Sequence, residues 1–204
     1  MAIVCPVNLD KEKLKSEIRA TYASVAKDPA GDFHFHRGPA YAARLLGYDF
    51  TELASLPPAA TASFAGVGNP FLMEPLPVGA TVIDLGCGSG MDCQLACKRV
   101  GAAGSVIGID MTDAMLDRAR DSARAAGLQH LEFRKADIAE LPFESDSVDI
   151  VLSNGVINLA PDKRTVFEEL YRVVKPGGRL QFADIVVGRE LSEAARGDID
   201  LWTG

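Results

Sequence analysis

The chain has 204 residues, 48% of them hydrophobic and 24% charged, with a net charge of −7 and a pI near 5.0. That length buries a real core without disulfides, and the acidic balance argues against nucleic acid or an anionic membrane surface as partner, since both need a basic footprint. With a mean hydropathy of +0.08 and no run approaching the ~18 apolar residues of a membrane span, no membrane partner is expected.

Met1–Val7 has no basic stretch, so no export leader is expected. A cytoplasmic location follows, with Cys5, Cys87, Cys93 and Cys97 as reduced thiols. Leu14, Ile18, Tyr22 and Val25 recur at helical spacing and predict a helix over 10–26, stopped by Asp28-Pro-Ala-Gly31. Pro39 opens a second helix and Gly47 closes it. A third starts near Thr51 and is ended by Pro57-Pro58, and segment 61–79 reads as a Gly/Pro-punctuated connection.

The pattern changes near residue 80. Short β-branched runs predict strands at 81–85, 105–110, 131–135, 148–153 and 179–187, with helices at 91–100, 113–126 and 163–174. Thr112 starts the second of these helices and Gly127 stops it, while Lys175-Pro-Gly-Gly178 ends the third. The strands are too continuously apolar for a sheet with one wet face, so helices are expected on both sides. The expected fold is α/β, a Rossmann-like, doubly wound and mainly parallel sheet. Residues 1–80 form an N-terminal helical lid over a core spanning 81–204.

The first strand runs into Asp84-Leu-Gly-Cys-Gly-Ser-Gly90, directly before a helix. Such a turn lets backbone approach a ligand at the carboxyl edge of the sheet. A dinucleotide fingerprint would need a third glycine where Met91 stands, which disfavours a nicotinamide dehydrogenase. Glycines at 86, 88 and 90 with an acid ahead of them resemble the first motif of class I S-adenosylmethionine-dependent methyltransferases. The resemblance implies S-adenosylmethionine as cofactor. Its ammonium would sit near Asp84 and its carboxylate at the backbone of Gly86, Gly88 and Gly90. Asp110 would hold the ribose hydroxyls, Met111 would pack on adenine, and Asp137 with Ile138 would meet the adenine amino edge. Asn154 would stand where the methyl group faces its acceptor. The resemblance also implies an antiparallel strand pair beyond a helix over 191–202, which the 204 residues do not accommodate. Strand 179–187 is then an exposed edge through which the chain could self-associate.

Val106-Ile-Gly-Ile-Asp-Met-Thr112, Leu152-Ser-Asn-Gly-Val-Ile-Asn-Leu-Ala-Pro-Asp-Lys163, Arg172-Val-Val-Lys-Pro-Gly-Gly-Arg-Leu180 and Gly66-Val-Gly-Asn-Pro70 resemble the arsenite methyltransferase family. That family holds trivalent arsenic on converging cysteines. Two of those positions are Val67 and Gly155 here, and a third falls beyond Trp202-Thr-Gly204. A relative with a different small-molecule acceptor is therefore expected, with Phe64, Val67, Asn69 and Gly155 lining an apolar acceptor pocket. Arsenite methylation with a non-standard thiol set, and a cofactor-binding domain without turnover, remain as alternatives.

No catalytic residue is identifiable from a motif. His34 and His36, flanked by Phe33 and Phe35, are candidates for a general base, but the same spacing suits a surface segment with its Phe side buried. Two histidines make an incomplete metal site and no metal is expected. Cys93 and Cys97 share a helix face and read as core, and His130 reads as a loop residue.

Overall fold

A computed structural model describes residues 10–188 together with Ser192 and Trp202. Its centre is a five-stranded, all-parallel sheet in the order β3-β2-β1-β4-β5. The strands are β1 (Thr81–Leu85), β2 (Ser105–Asp110), β3 (Leu131–Lys135), β4 (Val148–Asn154) and β5 (Val174–Ala183). The expected helix over 191–202 lies outside the described residues, Ser192 and Trp202 excepted, as does Cys5.

Helices α5 (Met91–Val100) and α6 (Asp113–Ala125) cover one face, packing Cys93, Val100, Leu116 and Ala119 on Val82, Val106, Ile150 and Leu152. Helix α7 (Lys163–Val173) covers the other, setting Val166 and Leu170 against Ile83, Leu85, Ile109 and Val151. The period-two alternation of each strand divides these two sets between the faces. Each buried aliphatic side chain contributes on the order of 2 kcal/mol.

Upstream of the sheet lie α1 (Lys11–Lys27), α2 (Gly38–Leu46), α3 (Phe50–Ala54) and α4 (Pro58–Thr61). Asp10 caps α1 by accepting from the Lys13 amide at 3.0 Å, and Asp28 closes it. Gly47 ends α2 at φ 76°, a left-handed position that suits glycine. Pro58, expected to end a helix, instead opens α4: proline is favoured in a first turn, where its missing N–H has no intrahelical partner to lose. These helices do not stand apart from the sheet layer. Tyr48, Leu53, Leu56 and Phe64 share an apolar cluster with Met91 and Leu95 of α5.

The last strand departs from expectation at both ends. It begins at Val174, directly after α7, and ends at Ala183, so Lys175-Pro-Gly-Gly178 lies inside it and residues 184–187 lie outside. Val174 pairs with Val148 and Arg179 with Ile150, a register shift that absorbs the extra residues as a bulge. Gly177 takes φ 82°, and a Cβ on Gly178 would meet the Asp149 carbonyl at 2.7 Å. The glycines therefore allow the bulge to cross the strand. Among the described residues β5 pairs only with β4, and Phe182 on it is 40% exposed.

Candidate active site

The carboxyl ends of β1, β2 and β4 open into a cavity of about 330 Å³. Its floor is the turn after β1. Gly86 and Gly88 hold φ of 59° and 52°, and a Cβ built on Gly88 would find only Met115 Sδ, at 4.0 Å. That open space leaves the backbone accessible to a ligand. A Cβ on Gly86 would strike Val156 at 2.5 Å, so glycine there is a packing requirement. Gly90 does not line the cavity. Its Cβ position faces Phe133 at 2.9 Å, so this glycine seats α5 against the sheet rather than meeting ligand.

Four acids line the cavity along its strand-end rim. Asp84 is 3% exposed and accepts the Cys93 thiol at 3.2 Å. Burial pushes its carboxyl well above the usual range, and the charges of Asp92 and Asp110 add to the shift. Asp110 accepts the Gly88 amide at 2.9 Å and the Thr112 amide at 2.8 Å, fixing its carboxylate beside the glycine turn. Burial raises it too, against those two bonds. Thr112 itself makes no side-chain cap for α6, because Asp110 has taken its amide. Asp137 is held below its usual range by Lys15 of α1, 2.6 Å away, and by the Ala139 amide, which outweigh its desolvation.

The fourth acid, Asp92, carries no motif signal. It accepts from Tyr48 Oη at 2.8 Å and from Asn154 Nδ2 at 3.1 Å, and burial pushes it up to about 6. An acid in the first turn of a helix reads from sequence as a dipole partner facing water, which hid it. Tyr22 of α1, raised to about 12 by burial and by Asp110, is a second cavity residue missed from sequence. Ser63 Oγ bonds Ser89 Oγ at 2.8 Å and ties the upstream segment to the glycine turn.

The remaining expectations divide. Met111, Ile138, Phe64 and Gly155 line the cavity. Val67 and Asn69 do not. Val67 packs behind Gly155, its Cγ1 3.1 Å from where a Cβ would stand, and Asn69 turns outward to the Gly47 carbonyl. Asn154 lines the cavity, but its side chain is committed to protein. Oδ1 accepts the Val67 and Gly68 amides at 2.8 and 3.1 Å, and Nδ2 faces Tyr48, Asp92 and the Gly68 carbonyl. His34 and His36 are exposed and lie outside the cavity lining, while Phe33 and Phe35 pack inward beneath Arg37. Among the described residues no group of three or more His, Cys, Asp or Glu is arranged to hold a metal ion. No helix among them is long and apolar enough to cross a membrane.

A family model described as a methyltransferase domain matches residues 77–202. The chain belongs to that family. It is 37% identical over 208 residues to an arsenite methyltransferase of Halobacterium salinarum, which covers 96% of this chain and 53% of that protein. A demethylmenaquinone methyltransferase of Lactococcus lactis is 36% identical over 102 residues, 50% of this chain and 40% of that protein. Among solved structures, an arsenic(III) S-adenosylmethionine methyltransferase from Chlamydomonas reinhardtii aligns with a TM-score of 0.58 and 41% identity, covering 65% of this chain and 46% of that one. The chain spans about half the length of the curated relatives it matches, or less.

S-adenosylmethionine is the cofactor of this class, and the residues present suit it. The ligand brings an ammonium and a sulfonium, and the cavity offers Asp84, Asp92 and Asp110. Among the described residues no Lys, Arg or His forms an ion pair with any of the three. The backbone at Gly88 is open, and Met111 and Ile138 supply apolar surface for a base.

Proposed function

We propose that the chain binds S-adenosylmethionine in this cavity and transfers its methyl group to a small-molecule acceptor that is not held by thiolates. One observation carries the reading: a glycine turn with an open backbone, flanked by Asp84 and Asp110, at the carboxyl edge of a parallel sheet. In this reading Asp110 takes the ribose hydroxyls, Met111 and Ile138 flank the adenine, and Asp137 accepts from its amino group while keeping its bond to Lys15. Bound there, the sulfonium supplies an already activated methyl electrophile.

The protein's own task is then to position and to exclude water. Helix α1 walls the cavity with Ile18 and Tyr22, and Phe64 closes it beside Gly155. Residues 1–80 thus serve as the acceptor-covering segment. His34 and His36 have no part in this chemistry, being outside the cavity.

The acceptor follows from what surrounds Gly155. Its neighbour is the Val67 isopropyl, and neither position offers sulfur. Cys87, Cys93 and Cys97 are buried, and burial raises all three thiols, to about 11 for Cys87 and about 12 for Cys97. Soft metalloid ligation needs thiolates, which these residues resist forming. A labelled-methyl assay across arsenite, thiols, phenols and carboxylates tests the proposal. Transfer is expected to one of the organic acceptors and not to arsenite. Arsenite as the sole methylated compound would overturn the acceptor reading, and no transfer to any compound would overturn turnover itself.

A further inference from the structure

Asp92 is a buried cavity acid that the glycine motif does not account for. It projects from the first turn of α5, 5% exposed, and both of its hydrogen-bond donors are neutral. They come from elements far away in sequence: Tyr48 follows α2, and Asn154 ends β4. Asp84 faces the same cavity from β1 with only the weak thiol donor of Cys93 on its Oδ2. Two adjacent buried carboxyls with no cationic side chain pairing with them among the described residues form an incomplete electrostatic arrangement.

We propose that Asp92 is a second cofactor-binding acid: with Asp84 it makes a two-carboxylate seat for the ammonium of an amino-acid-bearing ligand, and Tyr48 and Asn154 hold it in position. The inference rests on the S-adenosylmethionine reading above and extends it. An ammonium has three N–H donors in a tetrahedral fan, more than one carboxylate oxygen can receive. Two carboxylates from different elements can share them, and the charge-assisted bonds offset the desolvation of both acids. Because Tyr48 and Asn154 also bond segment 66–68 or each other, seating the ammonium firms the contact between the helical segment and the sheet.

The charges around the pair set the sign of its pH dependence. Asp110 adds a third negative charge from β2, Arg99 further along α5 lowers Asp92 only slightly, and it is tied to Glu52. Cys87 and Cys93 stay protonated, Tyr22 on α1 stays protonated, and Lys15 is paired with Asp137. Lys11, also on α1, stands on the cavity wall. Without ligand, burial keeps protons on the pair, Asp92 titrating at about 6. A bound ammonium favours both ionised forms, so binding expels protons. Affinity therefore rises as pH climbs through the ligand-free value and levels off above it.

Calorimetric titrations with S-adenosylhomocysteine and with 5′-methylthioadenosine, which lacks the amino-acid end, separate this role from a structural one. They are run between about pH 5 and 8 in two buffers of different ionisation enthalpy, on wild type, Asp92→Asn and Tyr48→Phe. Wild type should release protons on binding S-adenosylhomocysteine and not on binding methylthioadenosine. Asp92→Asn should bind S-adenosylhomocysteine about tenfold more weakly with less proton release, one pKa step in effect, while methylthioadenosine affinity is unchanged. Tyr48→Phe, which removes one donor to Asp92, should move the rise in affinity to higher pH. Equal weakening of both ligands by Asp92→Asn, or no weakening of either, would overturn the seat while leaving the cofactor reading intact. Should Asp92→Asn fail to fold, an unmoved pH profile in Tyr48→Phe overturns it equally. A wild type that binds neither ligand would overturn the cofactor reading, and the seat with it.

Discussion

Asn154 uses both ends of its amide to hold the cavity rim together. Oδ1 receives two backbone amides, and two Nδ2 hydrogens are shared among Tyr48 Oη, Asp92 Oδ2 and the Gly68 carbonyl. A Cβ on Gly66 would overlap this side chain, so the approach of the two segments is exclusive to glycine. Asn154→Ala strands the Val67 and Gly68 amides and removes a donor from a buried acid, a loss of about 3 kcal/mol. Urea unfolding should show a lower midpoint with an unchanged slope; a loss below about 1 kcal/mol would contradict the hub role. The strand end at Ser153-Asn154 is legible in sequence, and so is its nearness to a ligand. The hub is not, because its partners lie 87 and 106 residues away and only the folded sheet brings them within bonding distance. Asp92 was hidden for the same reason. Asp84, Asp110 and Asp137 were legible because their positions at strand ends are local.

Helix α1 is the element that turns an open strand edge into a cavity. Leu14 and Ile18 pack with Tyr22, Met111 and Leu159, and Val25 and Ala26 pack on Met115 of α6. Lys15 adds an ion pair to Asp137, partly exposed and so of modest worth. Every one of these contacts is to a residue beside the cavity, so a ligand seated there buries the inner face of α1. Amide exchange across 14–26 should slow on addition of S-adenosylhomocysteine; exchange unchanged in α1 while the glycine turn becomes protected would contradict its covering role. The helix itself follows from apolar residues at helical spacing behind an Asp cap. Two other elements did not follow from local signals. Pro58 and Lys175-Pro-Gly-Gly178 both read as stops, yet the first opens a helix and the second bulges through a strand. In each case the pairing or packing partner, not the local sequence, decides whether the chain stops or continues.

At the scale of the whole molecule, an acidic chain of net charge −7 gathers its buried acids at one place, the carboxyl edge of a parallel sheet. Burying them is unfavourable in isolation and becomes favourable with a cationic ligand. That balance, with the order β3-β2-β1-β4-β5 and helices on both faces, is the physical content of the methyltransferase resemblance. The central claim is that this edge is a seat for S-adenosylmethionine rather than a dinucleotide. Titration of S-adenosylhomocysteine and of NAD into wild type and Asp110→Ala tests it most directly. The account predicts saturable one-site binding of S-adenosylhomocysteine, its loss in Asp110→Ala, and no binding of NAD. Binding of NAD, or S-adenosylhomocysteine binding that survives Asp110→Ala undiminished, would contradict it.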